Sequence, residues 1–276
     1  MTDGPGRAVT REIVISASVD AVWRALTDAD ELTRWFPPYA RVEPGEGGRM
    51  WRAWQPGDEV EERIERWEPN VHLRTVGLSG GWKGIVTDYH LTTLAGTTVL
   101  RVVSSGFGTD AEWDELYDAF GGGWDFELRG LRHYLERHAG APRLVTIVRG
   151  PRRATAAESW QRIMGPSGWM GRRGFSDLMP GSRYSARLAS GSHVSGVVHL
   201  WQPPRQFAST VDELNDALLR IDTRCIGDAG TPLIWLSTYG VAADALRDIE
   251  RNWQAALEAA FAEPVGPAPI GGPLSL

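Results

Sequence analysis

The sequence predicts an α+β protein of two tandem domains, each with a curved antiparallel sheet, two short helices and a long C-terminal helix. The first observation behind this prediction is an internal repeat. When residues 35–106 are compared without gaps with the residues 134 positions later, 12 of 72 positions are identical, whereas unrelated sequences would share roughly 4–5. Trp35 matches Trp169, and Trp67 matches Trp201. One fold present in two copies accounts for this regularity.

The second observation is the order of the patterns in the first half. Residues 11–16 alternate between apolar and polar side chains, as a half-buried strand does. Ser18 can cap the helix that follows, and apolar residues spaced by three and four give that helix one apolar face. A second short helix is predicted to begin at Asp28 or Asp30 and to end at Pro37.

Six strand-like segments come next, with turn residues between them, at residues 39–43, 49–54, 59–67, 71–77, 84–94 and 97–104. Because short turns and no helices separate these segments, they should form an antiparallel meander. A long helix from about residue 114 to 138 completes the domain. Its apolar stripe must be buried against the concave face of the sheet, which leaves an interior between helix and sheet.

The second half keeps this order. Predicted strands lie at residues 144–148, 183–188, 194–201, 205–211, 217–226 and 231–238. Trp160 stands in the first helix, and a closing helix carries apolar residues spaced by three and four. We therefore predict a first domain at 8–138, a linker at 139–143, a second domain at 144–261 and a flexible tail, rich in Pro and Gly, at 262–276.

Composition excludes several classes of protein. The net charge is −6 and the sequence has no basic cluster, which argues against nucleic-acid binding. Neither a membrane-length apolar run nor a signal segment is present. The single cysteine, Cys225, excludes an internal disulfide and a Cys-rich metal site. These features predict a cytoplasmic protein without a cofactor, and the repeat predicts a monomer that is an internal pseudo-dimer.

Several segments carry a resemblance to a known family. In the first half these segments are residues 13–17, 22–27, 32–36 and 47–50, together with the Gly123-Trp124 pair that leads into the long helix. In the second half the best segment runs from Gly196 through Trp201 and Pro203-Pro204 to Phe207. The chain resembles the START/SRPBCC superfamily, which includes birch-pollen-allergen-like proteins and has the helix-grip fold. The closer match is to the branch named for homology to the activator of Hsp90 ATPase.

The resemblance covers residues 11–138 well and 144–261 more loosely. Glu62 stands where the second half has Gly196, and Gly48 stands where it has Ser182. Pro151 and the two arginines after it also disturb the start of the second domain's first helix. The resemblance implies the helix-grip fold for both halves, but it does not identify a ligand.

No familiar catalytic motif occurs in the chain: HExxH, the phosphate-binding GxxxxGK[ST], GxSxG and GxGxxG after a strand are all missing. The six histidines are scattered, so we expect no metal site. The acidic run Glu59, Glu61, Glu62 and Glu65 is interpreted as a solvated sheet edge.

What remains is the apolar interior. The residues expected to line it in the first domain are Trp35, Phe36, Met50, Trp54, Tyr117, Phe120, Trp124 and Leu128, with Arg52 and Arg66 as polar anchors if they face inward. The weaker second cavity would be lined by Trp169, Met170, Tyr184, Leu188, Trp253 and Leu257. The alternative in each domain is a closed core without a ligand, because sequence does not show concavity.

The resemblance and the aromatic interior together predict non-catalytic binding of a small lipophilic molecule. One alternative, also implied by the superfamily, is a polyketide cyclase or aromatase, for which Arg52, Arg66, Tyr117 and His90 are the acid–base candidates. An Arg or Tyr facing the cavity would favour that enzyme, and an all-apolar lining would argue against it. Another alternative is a chaperone-interaction module, which rests on family analogy alone.

Overall fold

The structure is a computed structural model that describes residues 6–55, 57, 59–151, 155–171, 175, 178–223 and 231–262. The chain divides into two compact units, residues 1–143 and 144–276. Cys225, the arginine pairs at 152–153 and 172–173, and the predicted tail from residue 263 onward lie outside the described residues. Within the described part of the chain, no helix has both the length and the apolar character needed to cross a membrane.

The described residues of the first unit form one antiparallel sheet with helices before and after its meander. The strands are β1 (Arg7–Ile15), β2 (Tyr39–Val42), β3 (Arg49–Ala53), β4 (Glu59–Glu68), β5 (His72–Gly77), β6 (Val86–Leu94) and β7 (Thr97–Phe107), and the helices are α1 (Val19–Thr27), α2 (Ala29–Thr33) and α3 (Asp114–Arg137). The strand order is β1-β7-β6-β5-β4-β3-β2. The meander therefore begins at one edge, and β1 pairs with its last strand.

Local chemistry explains where the first two helices begin. The Ser18 hydroxyl accepts a hydrogen bond from the Ala21 amide at 3.3 Å, and the Asp28 carboxylate accepts one from the Glu31 amide at 3.0 Å. Both side chains satisfy donors that a helix N-terminus would otherwise leave unpaired. The second helix is shorter than its apolar residues suggest, because Trp35 and Phe36 lie in the turn after it. That turn directs both rings into the core.

The long helix covers the concave face of the first sheet. Phe120, Trp124, Leu128 and Leu131 are buried along it, as their spacing predicts. The Trp124 indole nitrogen donates to the Ser104 hydroxyl of β7 at 3.0 Å, which fixes the helix against the sheet.

Three consecutive glycines, residues 121–123, interrupt the otherwise favourable sequence of α3. A Cβ atom at Gly123 would meet no atom within 4 Å, whereas one at Gly77 would lie 1.8 Å from the Trp82 carbonyl oxygen. We expect Gly123→Ala to raise the unfolding free energy by about 0.5–1 kcal/mol, because alanine loses less backbone freedom in a helix. Urea denaturation followed by circular dichroism would measure this. Gly77→Ala is the control and should destabilise the protein; an unchanged or lower midpoint for Gly123→Ala would contradict the prediction.

The described residues of the second unit follow a similar order with fewer elements. The strands are β8 (Arg143–Arg149), β9 (Arg183–Arg187), β10 (His193–Gln202), β11 (Gln206–Val211), β12 (Ala217–Asp222) and β13 (Leu233–Tyr239), and the helices are α4 (Ala156–Met164) and α5 (Ala243–Ala262). The strand order is β8-β13-β12-β11-β10-β9. The fold class is thus as predicted: α+β, with two helix-grip-like domains that each combine an antiparallel sheet with a long C-terminal helix.

Candidate functional site

The interior between α3 and the first sheet brings together most of the residues predicted to line a cavity. Those that the structure buries there are Trp35, Phe36, Met50, Arg52, Phe120, Trp124 and Leu128. Trp54 is half-buried and contacts the Phe36 ring edge-on, with the ring centres 5.5 Å apart. The predicted set therefore converges on one region, with the exception of Arg66 and Tyr117.

Arg66 does not face inward, so its proposed role as a polar anchor is wrong. The register between β4 and β5 shifts between Ile64 and Arg66. This bulge interrupts the alternation that would have placed Arg66 on the same face as Ile64. Arg66 instead lies on the exposed face, where its guanidinium pairs with Glu68 at 2.5 Å.

Tyr117 lies at the margin of the interior. Its ring packs edge-on against Phe107 at 5.4 Å between centres, and its hydroxyl donates to the Ala8 carbonyl oxygen at 3.3 Å on the exposed side. The Arg7 guanidinium lies over the outer part of the same ring, 4.9 Å from its centre. Tyr117 therefore closes one end of the interior and directs its hydroxyl away from it.

The most unusual feature of the interior is a buried ion pair. Arg52 is 2% exposed and Glu62 is 1% exposed, and Arg52 Nη1 lies 2.6 Å from Glu62 Oε2. The second oxygen of Glu62 accepts a hydrogen bond from the Thr75 hydroxyl at 2.6 Å. Two charges removed from water are costly unless each is well paired. A buried pair of this kind is therefore weak evidence for a gain in stability.

A buried phenol completes this polar cluster, which we call the Arg52 cluster and define as Arg52, Glu62, Thr75 and Tyr89. Burial raises the pKa of the Tyr89 hydroxyl to about 12. Burial alone would lower the pKa of Arg52, but the charge of Glu62 outweighs it and the pKa is raised. At neutral pH the cluster thus offers a cation, its carboxylate partner and a neutral hydroxyl.

The hydrogen bonds within this cluster are poorly aligned. The Tyr89 hydroxyl interacts with the Arg52 side chain, but neither this hydroxyl nor Arg52 Nε makes a well-aligned hydrogen bond with any of the described residues, although both atoms are buried. A buried donor gains stability from an acceptor that it can meet at good geometry.

Aromatic rings surround the Arg52 cluster. The Arg52 guanidinium carbon lies 5.3 Å from the centre of the Phe36 ring and 5.8 Å from that of Trp82. The Trp124 ring meets Tyr89 edge-on at 5.7 Å and Phe36 at 5.6 Å. The walls around the Arg52 cluster are therefore formed by aromatic rings.

Sequence reasoning missed Glu62, Thr75 and Tyr89, and it grouped Glu62 with a solvated edge. A signal was available in β4, where Glu62 alternates with Val60 and Ile64, both buried. Glu59 and Glu65 are exposed, as interpreted. A second signal lies in the repeat. Arg52 and Glu62 correspond to Ala186 and Gly196, so the second half lacks both members of the ion pair at these positions.

In the second unit the predicted cavity residues belong to one hydrophobic core. Trp169, Met170, Tyr184, Leu188, Trp253 and Leu257 are all buried in it. The Tyr184 hydroxyl donates to the Thr210 carbonyl oxygen at 2.8 Å and accepts from Ser209 at 3.0 Å. A Cβ atom at Gly196 would lie 2.2 Å from that same carbonyl oxygen. No side chain fits where the first unit has Glu62, so the Arg52–Glu62 pair has no equivalent at this position of the second unit.

His90, an acid–base candidate from the sequence, lies on the exposed face of the first sheet. Its ring stacks on His72 at 4.2 Å, and His72 Nε2 lies 2.7 Å from an Asp88 carboxylate oxygen. Burial and the neighbouring His72 lower the pKa of His90. The three side chains bring their ligand atoms within 4.8 Å of one another, as a metal site would, but Arg74 also lies 3.7 Å from Asp88. His90 therefore has no access to the Arg52 cluster.

Comparison with known proteins identifies a matching family. Residues 7–146 match the family model described as polyketide cyclase / dehydrase and lipid transport. No curated protein matches the chain.

Similar solved structures include protein MLL2253 from Mesorhizobium loti, with 25% identity over 48% of this chain and 98% of that one and a TM-score of 0.43. The Aha1 dimer from Colwellia psychrerythraea shows 21% identity over 49% of this chain and 99% of that one, with a TM-score of 0.41. DynU16, from the dynemicin biosynthetic locus, shows 19% identity over 94% of this chain and 97% of that one, with a TM-score of 0.43. Because the matched family model spans just over half of the 276 residues, the chain belongs to the polyketide cyclase / dehydrase and lipid transport family.

Proposed function

We propose that the first domain binds a small lipophilic molecule between α3 and the sheet, without catalysis, and holds one polar group of that molecule at the Arg52 cluster. The observation that carries this proposal is a buried ion pair beside a buried phenol whose hydroxyl interacts with the same arginine. In a closed core, apolar residues of similar volume would often be as stabilising as such a pair or more so. A ligand with a carbonyl or hydroxyl oxygen would accept hydrogen bonds from Arg52 and Tyr89.

The aromatic walls define the rest of the ligand. Phe36, Trp82 and Trp124 present ring faces and edges around the cluster. Burial of apolar ligand surface against them would contribute roughly 25 cal/mol per Å² before the costs of binding. A flat hydrophobic molecule with one oxygen substituent fits this chemistry best.

Binding is favoured over acid–base catalysis because neither Tyr89 nor Arg52 exchanges a proton near neutral pH. Tyr89 keeps its proton to about pH 12, and Arg52 is held charged by Glu62. Efficient general acids and bases have pKa values near the working pH. The cluster is therefore suited to hold an oxygen atom rather than to transfer a proton to it.

The alternative is a polyketide cyclase or dehydrase, and one observation favours it. Arg52 and Tyr89 are two interior donors, and donors that stabilise a developing oxyanion assist carbonyl chemistry. The base would then have to be Glu62, the only carboxylate in the cluster. Turnover of a poly-β-keto substrate analogue, lost in Glu62→Gln, would establish this activity in place of simple binding.

We also propose that the two domains are copies of one another. The register shift between Ile64 and Arg66 recurs between Val198 and Leu200, 134 residues later. Trp201 packs edge-on against Trp160 at 5.4 Å, as Trp67 does against Trp23 at 5.3 Å. The first copy carries the polar cluster and the second does not, so ligand binding of this kind is assigned to the first copy.

The narrower relation to the Hsp90-activator branch, and with it a chaperone partner, stays a prediction. The exposed large apolar side chains among the described residues are scattered along the chain: Val14, Tyr39, Leu94 and Leu144 lie on four different strands, and Val71 and Met179 lie outside helices and strands. Pull-down from a native lysate with the whole chain would test it. Recovery of no chaperone would end that hypothesis.

Native mass spectrometry of the purified chain, followed by denaturation and analysis of the released molecules, tests the binding proposal. We expect a lipophilic molecule at one copy per chain. The double variant Arg52→Met/Glu62→Met should lose it, since both charges are replaced without leaving one unpaired. Arg66→Met, which removes an arginine from the opposite face, is the matched control and should retain it. Equal loading of all three proteins would overturn the role of the Arg52 cluster.

A further inference from the structure

A second group of polar residues lies on the outer face of the second domain, on the hairpin formed by β9 and β10. Ser185 and Arg187 face outward from β9, and His193 and Ser195 face outward from β10. Arg187 pairs with His193 across the two strands, and Ser185 pairs with Ser195. Glu213 approaches them from the short turn Asp212–Leu214. This group is separate from the interior discussed above.

These residues form a continuous hydrogen-bonded chain. The Ser185 hydroxyl oxygen lies 3.0 Å from His193 Nε2, and His193 Nδ1 lies 2.8 Å from a Glu213 carboxylate oxygen. A hydroxyl, both ring nitrogens of a histidine and a carboxylate thus follow one another at hydrogen-bond distance. That is the arrangement by which serine nucleophiles are activated on unrelated folds.

The environment of Glu213 determines the tautomer of His193. Glu213 accepts hydrogen bonds from the Ser195 amide at 2.8 Å and the Ser195 hydroxyl at 2.7 Å. Burial would raise the pKa of Glu213, but these bonds and His193 lower it below its usual value. An ionised carboxylate only accepts hydrogen bonds, so His193 Nδ1 must donate to it. The neutral ring then has its lone pair on Nε2, where the Ser185 proton can go.

A cavity lies beside this chain of residues. Its volume is about 850 Å³, and both Ser185 and His193 line it. Met170 and Leu188 give it apolar walls, and Arg187 adds a positive charge on the side of His193. Because β9 is the edge strand, this cavity lies at the edge of the sheet. This volume is sufficient for a small ester.

We propose that Ser185, His193 and Glu213 form a Ser–His–Glu triad that hydrolyses small carboxylic esters bound in this cavity. Ser185 and His193 are the catalytic residues, and Glu213 is a positioning residue for His193. This activity goes beyond the binding function of the first domain and does not depend on it.

The reaction needs no partner other than water. The Ser185 oxygen attacks the ester carbonyl carbon while its proton passes to His193 Nε2. The carbon–oxygen bond to the alcohol then breaks, and the alcohol leaves with that proton. Water, deprotonated by the same nitrogen, attacks the acyl-serine, and the carboxylic acid departs as the proton returns to Ser185. Arg187 supplies the positive charge that the intermediate oxyanion requires, and the half-exposed His193 admits water.

The test uses the whole chain with 4-nitrophenyl acetate and butyrate as substrates. We expect Ser185→Ala and His193→Ala each to lower kcat/KM by at least about 100-fold, the scale on which serine triads act. Ser182→Ala is the matched control, since the Ser182 hydroxyl bonds to the backbone of Met179 and the residue is not among those that line the cavity. A fluorophosphonate probe should label Ser185, as located by peptide mass spectrometry, in wild type and Ser182→Ala but not in His193→Ala.

Glu213→Gln separates a positioning role from a structural one. It should lower kcat/KM at neutral pH and move the acidic limb of the pH–rate profile to lower pH, because the imidazolium loses its negative partner. Circular dichroism should show unchanged folding of all four variants. The proposal is overturned if Ser185→Ala hydrolyses the esters as fast as wild type, if the fluorophosphonate spares Ser185, or if Glu213→Gln leaves both rate and profile unchanged.

Discussion

We expect Arg52→Met to lower the unfolding free energy of the first domain by about 3–5 kcal/mol, the usual cost of removing one partner of a buried ion pair. The substitution leaves the Glu62 carboxyl group 1% exposed without its cationic partner, with the hydrogen bond from Thr75 remaining. Methionine also loses the contact of the guanidinium with the Phe36 ring. Urea denaturation followed by circular dichroism measures the loss. Hydrogen exchange should assign it to peptides of β3 to β6.

The double variant Arg52→Met/Glu62→Met makes this prediction specific. Replacing a whole buried pair by apolar residues is often neutral or stabilising, so the double variant should recover most of the stability that the single variant loses. It should nevertheless lose the ligand. Arg66→Met serves as control and should change stability by less than about 1 kcal/mol, because exposed ion pairs contribute little. A single variant as stable as wild type would show that the pair is not a buried ion pair in solution.

We expect Trp253→Ala to destabilise the second domain by about 3–5 kcal/mol, the range measured for large aromatic residues in cores. Trp253 is 1% exposed, packs edge-on against Trp169 at 5.1 Å, and its carbonyl oxygen accepts the Trp169 indole N–H at 3.2 Å. Its removal would leave a cavity at the centre of the predicted second site. Hydrogen exchange of the whole chain should show the loss in peptides of β8 to α5.

The control for this substitution is Trp51→Ala. Trp51 is half-buried on the first sheet, where the Arg41 guanidinium lies 3.8 Å from its ring centre. Its loss should cost about 1 kcal/mol, the scale of a partly exposed cation–π contact. If Trp253→Ala costs no more than Trp51→Ala, the Trp253 side chain is not packed in the core as it is in this structure.

Most of the fold could be predicted from the sequence because hydrophobic period and turn chemistry are local. The predicted strand at 59–67 corresponds to Glu59–Glu68, and the predicted helix at 114–138 corresponds to Asp114–Arg137. The predicted end of α2 is too late in the sequence. Trp35 and Phe36 are apolar residues at helical spacing, but they are buried from the turn that follows the helix. Apolar spacing alone does not distinguish a buried helical residue from a buried residue in a turn.

The candidate site was harder to predict because it depends on which face each strand residue occupies. The bulge after Ile64 reverses that face, so it removes Arg66 from the interior and brings Trp67 towards Trp23. Nothing in the local sequence marks this bulge. Glu62, by contrast, could have been placed by alternation with Val60 and Ile64. The charge of Glu62 argued against a buried position, because carboxylates are almost never fully buried without a partner.

The glycines at 121–123 bear on how a molecule could reach the interior of the first domain. Each costs the helix about 1 kcal/mol relative to alanine, so the turns from Asp114 to Phe120 are held by contacts such as Phe120 with Trp82 and Phe107 more than by their own backbone. The turns beyond them remain anchored through Trp124, Leu128 and Leu131. Release of the first two turns alone would uncover the aromatic walls while the sheet stays folded. If the first domain binds a ligand as proposed, uptake by this route would be a local unfolding event, and the frequency of that event, rather than diffusion, would set the association rate.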